Sequence, residues 1–226
     1  MFRVMIYKTP YTPKPKKENK LKNMIKMFSS DSLEVSIRRT RRTIHDYVLC
    51  NDFDIFVTFT FDPRKVNRYD MNSVYVKMQG WLWRQHQKDP NFKYIVVPEK
   101  HHDGAIHFHA LMSDYPFELS KTNVIQDGKR VYNIKSYRFG FTNATHLPLN
   151  EEGARLKAAN YIAKYITKDM PLLHNRRRYW CSKNLRKPLK HYNAIYRLGI
   201  ANDINPLTIQ SESDYNTSYL IPKSLQ

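Results

Sequence analysis

The chain has 226 residues, with Lys+Arg 38 against Asp+Glu 20 and a formal charge of +18; it is long enough for one main domain with basic extensions and too short for two full domains. The charge excess is larger than solubility requires and points to a polyanion, most simply nucleic acid; an anionic membrane is disfavoured, since no Lys-rich anchor helix and no run of about 20 apolar residues occurs. Cys50 and Cys181 are too few for a disulfide scaffold, no GxxxxGK[ST] loop is present to hold a nucleotide cofactor, and the N-terminus lacks a signal-peptide core, so a soluble intracellular protein is expected.

Residues 1–30 mix Pro10, Pro13 and Pro15 with Lys14, Lys16, Lys17, Lys20, Lys22 and Lys26. That composition resists a compact core and suits either a basic flexible arm on a polyanion or a solvated tail. A helix is predicted over 31–49, because Asp31 and Glu34 have capping-box spacing and Leu33, Ile37, Ile44 and Val48 keep a helical stripe. Arg38, Arg39, Arg41 and Arg42 crowd its other faces, as a nucleic-acid surface that tracks phosphates or as a solvated face. Over 53–61 the pattern alternates as a strand, with Ile55, Val57, Phe59 and Phe61 on one face and Phe56, Thr58 and Thr60 on the other, and Asp62-Pro63 ends it. A second helix is predicted over 72–88, where Val74, Met78, Trp81, Leu82 and Gln85 recur at helical spacing until Asp89-Pro90; Trp81 and Trp83 are both expected to pack.

Residues 94–99 and 106–112 read as short strands about the hairpin signal Asp103-Gly104. Asp127-Gly128 suggests a second hairpin, and 137–141 one more strand. A third helix is expected to start near Asn150, with Glu151 and Glu152 in its first turn, to bury Leu156, Ala159, Ala163, Ile166 and Met170, and to stop at Pro171. Beyond it lie Arg176, Arg177 and Arg178, the segment 180–188, and a polar tail without a structural signal.

Two stretches carry candidate chemistry. His107-Phe108-His109 puts two imidazoles on one face of a strand, and antiparallel pairing brings Glu99 opposite His107, giving three metal ligands on neighbouring strands with positions left open for substrate. A His-x-His pair alone is common on protein surfaces; the glutamate and the turn raise it above that background. Tyr161 and Tyr165 are four apart, each followed three residues later by a lysine, Lys164 and Lys168. On a helix they would lie ~40° apart, on a face shared with Ala154 and Ala158 and away from the core stripe. Those small alanines would let the helix approach another surface closely. A tyrosine of pKa ~10 is a poor nucleophile at neutral pH, so attack on a phosphodiester needs help; the lysines could favour phenolate and a bound cation could polarise the phosphate.

These residues resemble the HUH-superfamily endonucleases that initiate rolling-circle replication. The run Phe56-Val57-Thr58-Phe59-Thr60-Phe61 is similar to their first motif, His107-Phe108-His109 to the His-hydrophobic-His motif, and Tyr161-Ile162-Ala163-Lys164 to Tyr-x-x-Lys. The second pair, Tyr165 and Lys168, resembles the two-tyrosine initiators of microvirus-like single-stranded DNA phages. The resemblance spans about 50–170. It implies an α+β, ferredoxin-like core with an antiparallel sheet and flanking helices, bracketed by the arm of 1–30, the arginine helix of 31–49 and a basic extension over 171–226.

It further implies nicking of single-stranded or locally melted origin DNA, a 5′-phosphotyrosine link and a free 3′-OH for a host polymerase. A host helicase would unwind the duplex, and the site of action would be the host cytoplasm. Tyr161 would be the first nucleophile, Tyr165 the second, and Glu99 the third ligand beside His107 and His109. Ligand softness alone admits Zn²⁺, whereas the family uses Mg²⁺ or Mn²⁺. The alternatives are a transposase or relaxase of the same superfamily, a non-catalytic single-stranded DNA-binding protein, and a zinc hydrolase that would leave the tyrosines and the charge without a role.

Overall fold

The computed structural model describes residues 2–7, 30–149, 151, 153–172, 177–188, 209–212 and 216–221. These fall into two compact units, one drawn from Met1–Asn23 and Leu189–Gln226 and the other from Met24–Pro188. In the first, β1 (Phe2–Tyr7) pairs antiparallel with β10 (Asn216–Ile221), which pairs with β9 (Ile209–Glu212). The basic-arm and polar-tail expectations therefore do not hold for these strands. Phe2–Tyr7 precedes the Pro/Lys cluster and is rich in residues that favour a pleated surface. The cluster from Pro10 to Lys26 lies outside the described residues.

The second unit is built on seven antiparallel strands in the order β5-β6-β7-β2-β4-β3-β8. They are β2 (Ile55–Phe61), β3 (Lys93–Lys100), β4 (Ile106–Ser113), β5 (Leu119–Gln126), β6 (Lys129–Ile134), β7 (Gly140–His146) and β8 (Trp180–Cys181). The helices are α1 (Ser30–Cys50), α2 (Met71–Lys88) and α3 (Ala154–Ala163). The fold is thus α+β. Strand β2 runs through α2 to β3 with β4 between them, a split βαβ unit, and β7 closes the other side of β2. In place of a second crossover helix stands the β5–β6 hairpin, and the helix that would fill that role comes after β7.

Strand alternation decides which layer covers which face. Ile55, Val57, Phe59 and Phe61 of β2 are buried, and with Phe108, Ala110 and Met112 they meet Val74, Met78, Trp81 and Leu82 of α2. Full burial of side chains this size stabilises by roughly 1.5–3 kcal/mol each. Asp70 caps α2 by accepting from the Asn72 and Ser73 amides. Trp81 packs as expected, but Trp83 does not; it is 63% exposed, because one residue in two along a helix cannot share a buried stripe.

The opposite face is covered by α1 and α3. Ile37, Ile44 and Val48 of α1, with Ala158, Ala159 and Ile162 of α3, pack on Ile95, Val97 and Leu111. Helix α1 begins at Ser30, one residue before the expected start, and Glu34 reaches across to Lys168 at 3.0 Å instead of serving a capping box. The strand expected over 137–141 begins only at Gly140, since Tyr137 turns into the α2 core against Phe59, Phe61 and Trp81.

The segment 180–188 also acquires a role. Trp180 and Cys181 pair with Val96 and Ile95, Asn184 donates to the carbonyls of Pro90, Asn91 and Phe92, and Arg186 joins Asp52 and Asn51 at the end of α1. It clamps the β3 edge, so the compact unit runs past residue 170. Cys50 and Cys181 are both free. Among the described residues, no helix is long and apolar enough to cross a membrane.

Candidate active site

Residues directly opposite each other on antiparallel strands share a face. Thr60 pairs with Phe141 on one side and with His107 on the other, and His107 pairs with Glu99. One row therefore crosses four strands as Phe141, Thr60, His107 and Glu99. The next row on that face runs Asn143, Thr58, His109 and Val97. Helix α3 covers the apolar rows beyond and stops short of these, leaving polar groups at the edge of its shelter.

The two histidines are held from behind. Thr58 Oγ1 lies 3.1 Å from His109 Nδ1, and Thr60 Oγ1 lies 3.4 Å from His107 Nδ1. Each imidazole is thereby oriented with Nε2 away from β2. A threonine hydroxyl can donate or accept, so either histidine tautomer is accommodated. His109 Nε2 is 2.5 Å from Glu99 Oε2. His107 instead stacks on His101, with ring centroids 5.1 Å apart.

Burial pushes the pKa of His109 down to about 4, against the pull of Glu99, and lowers that of His107. Both are neutral near pH 7, the form that ligates metals. Among the described residues no group of three His, Cys, Asp or Glu side chains converges as a metal cluster. The donor types, one carboxylate and two imidazoles, nonetheless suit a divalent transition ion, and Mn²⁺ better than Mg²⁺. Glu99 would have to release His109 to share one.

The tyrosine segment departs from the helix expected over 150–170. Gly153, at φ 73°, starts α3, and Ala163 ends it; Asn150 and Glu152 lie outside the described residues. After Lys164 the chain tightens, with Tyr165 N bonding Ile162 O and Ile166 N bonding Ala163 O, the short-period bonds of a closing turn. Arg41 Nε donates to the freed Ile166 carbonyl at 3.0 Å, satisfying a helix-end acceptor from α1. Tyr161 thus rides the last turn of α3 and Tyr165 lies just beyond it.

Tyr165 lies flat on His109, with centroids 3.6 Å apart and planes 8° from parallel. Burial, then its hydrogen bond with Tyr161, pushes its pKa up. Tyr161 is 44% exposed and sets its edge against Phe56 at 4.9 Å. Lys164 Nζ sits 3.8 Å over the Tyr161 ring and 4.8 Å over that of Tyr165. Lys168 is drawn off to Glu34 and has no phenol as its ion-pair partner.

The tyrosines, Lys164, His109 and Glu99 therefore come together, with His107 beside them and Lys168 apart. The arginines divide: Arg38, Arg39 and Arg42 are exposed, while Arg41 is occupied at Ile166. Phe56, Thr58, Thr60 and Phe141 were not among the expected site residues; strand register was the signal that would have found them.

Residues 54–170 match the model of the replication-associated protein ORF2 family, over more than half of the chain. The chain belongs to that family. Neither a curated protein nor a solved structure gave a significant match. Membership in the ORF2 family makes this a replication-associated protein and supports a replication-initiator role. The matched segment holds every histidine and tyrosine of the site, whereas α1 and 177–188 lie outside it.

Proposed function

We propose that the protein is a metal-dependent DNA nickase and strand transferase that starts replication on a single-stranded or locally melted origin. Membership in the ORF2 family supports the setting, and the observation that carries the chemistry is Tyr161, an exposed phenol beside Lys164 on the helix turn that overhangs His109 and Glu99. In the proposed step the Tyr161 oxygen attacks phosphorus and loses its proton to solvent. The P–O3′ bond breaks, the leaving oxygen takes up a proton as a 3′-OH, and a 5′-phosphotyrosine remains. That 3′-OH is what a polymerase extends, and Tyr165 would accept a later transfer.

Glu99, His107 and His109 would hold Mn²⁺ or Mg²⁺, which when bound would stabilise charge on the phosphate oxygens. Lys164 places positive charge beside the phenol, favouring phenolate. Phe56 and the flat Tyr165–His109 pair keep water from one side of the reacting phenol. Incubating end-labelled origin-strand DNA with the protein and Mn²⁺ should give a covalent adduct on a denaturing gel, and chelator should remove it. The Glu99–His109 hydrogen bond favours a second reading, a binding protein that cuts nothing. Tight binding with neither adduct nor cut under either metal would select it.

Two smaller effects are expected here. Thr58→Val leaves the shape of β2 intact but frees the His109 ring, and should weaken Mn²⁺ binding, read by titration calorimetry, roughly 10–100-fold. Unchanged affinity would mean that packing alone orients His109. Phe141 is 66% exposed at the end of the His107 row, where an unpaired base can stack on it. Phe141→Ala should cost about 1–3 kcal/mol of single-stranded DNA affinity; no change in anisotropy titrations would remove the base from that position.

A further inference from the structure

Helix α1 and the chain beyond the tyrosine segment enclose a cavity of about 400 Å³ whose walls include Arg39, Thr40, Thr43, Arg177, Arg178 and Tyr179. We propose that this cavity is a phosphodiester subsite, taking a backbone phosphate of single-stranded DNA between Arg39, Arg177 and Arg178.

Three guanidiniums around one space repel each other unless an anion joins them. Elsewhere in the same unit arginines find carboxylates: Arg64 pairs with Asp62, Arg68 with Asp103, and Arg155 and Arg186 with Asp52. Among the described residues no such ion pair reaches Arg39, Arg177 or Arg178. The Nη1 of Arg178 is sealed from solvent and has no hydrogen-bond partner. An orphaned donor on a charged group is costly, and it calls for an acceptor that arrives with a ligand. Burial lowers the pKa of Arg178 with no acid beside it to raise it again.

The other polar groups do not supply that acceptor by themselves. Thr40 and Thr43 donate their hydroxyls to the Ser36 and Arg39 carbonyls of their own helix. What fits is a planar-fork partner with several oxygens, and phosphate is the form in which DNA offers it. The volume accommodates the phosphate with its sugar. The cavity also adjoins the chemistry: Arg41, half a turn along α1 from Arg39, holds the Ile166 carbonyl next to Tyr165. A strand seated at the tyrosines can continue toward the cavity. Arg39, Arg177 and Arg178 all lie outside the matched 54–170 segment, so family membership does not assign them.

The inference rests on DNA being the partner, and not on tyrosine chemistry. The test uses the full chain carrying Tyr161→Phe, in chelator, so that cutting plays no part. Anisotropy titrations across a salt series would compare Arg39→Gln/Arg177→Gln with Lys121→Gln/Lys129→Gln, an equal charge change on the exposed β5–β6 hairpin. The probes are a single-stranded oligonucleotide and an abasic phosphodiester chain of the same length.

The arginine pair should lower affinity for both probes about tenfold more than the lysine pair, and the salt slope should fall by about 0.7 for each phosphate that is no longer neutralised. Arg178→Lys, which keeps charge but loses the fork, should lose affinity in the same direction. Equal losses in the two pairs would overturn the subsite in favour of diffuse attraction. Loss confined to the base-bearing probe would also overturn it. So would arginine-dependent protection against thermal unfolding by inorganic phosphate while oligonucleotide affinity stays unchanged; that result would assign a free-anion site.

Discussion

Tyr161→Phe should reduce covalent adduct formation by roughly 10³-fold or more, while leaving DNA affinity within a few-fold of the parent. The substitution removes one oxygen and keeps the ring that meets Phe56, so the edge contact at 4.9 Å survives and the fold should be unaffected. Tyr165→Phe should behave differently. Its ring is already committed to His109, its hydroxyl is the more buried of the two, and its pKa is raised by that burial. The first adduct should form with the Tyr165 variant, and only the exchange to a second strand should fail. Denaturing gels with a labelled donor strand and an unlabelled acceptor separate the two events. If the Tyr165 variant, and not the Tyr161 variant, loses the first adduct, then the stacked phenol is the nucleophile and His109 must release it before chemistry.

The order of the two tyrosines is a point at which the sequence was only half legible. Their spacing and lysines are visible in the chain, as is the helical stripe of Ala159, Ala163, Ile166 and Met170, all of them buried. What local pattern could not show is the closing turn between them. It depends on Arg41 arriving from a helix more than a hundred residues earlier to bond Ile166, a tertiary interaction with no local signature. The same holds for Lys168, whose partner Glu34 belongs to α1.

Strands were read more fully. The alternation over β2 and the Asp103-Gly104 turn predicted the burial of that strand and the pairing of Glu99 with His107. Yet backbone pairing did not predict side-chain pairing. Glu99 leans past its register partner to bond His109, two residues along, because His109 is the one held by Thr58 and backed by Tyr165. The threonines were visible as the polar face of β2 and acquire a use only when the neighbouring strand is placed in register. Trp83 illustrates the converse: aromatic character suggested burial, and helical periodicity decided against it.

Gly140→Ala should destabilise the fold by about 3 kcal/mol, at the upper end of ordinary overpacking. A Cβ built at Gly140 would collide with the Thr60 carbonyl oxygen and lie 2.6 Å from the Asp62 amide nitrogen and 2.9 Å from the Phe61 carbonyl carbon. All three are backbone atoms of β2 and the turn that follows, so no side-chain rotation can relieve the clash. The strands must separate, in a place where Asp62 N already bonds Phe139 O and Phe61 pairs with Gly140. The proper control is Gly128→Ala. Gly128 has φ +73° but nothing within 4 Å of its Cβ, so it carries only left-handed strain, worth about 1–2 kcal/mol. In thermal unfolding the Gly140 variant should fall by roughly 6–12 °C, more than the control. Equal shifts would mean that β7 can move away from β2 at little cost. The location makes the comparison informative about function as well as stability. Thr60, whose carbonyl is struck, pairs with both His107 and Phe141, so a β2 pushed aside carries the histidine tether and the exposed ring with it. A Gly140→Ala protein that still folds should therefore bind both Mn²⁺ and single-stranded DNA more weakly, whereas Gly128→Ala should leave both unchanged.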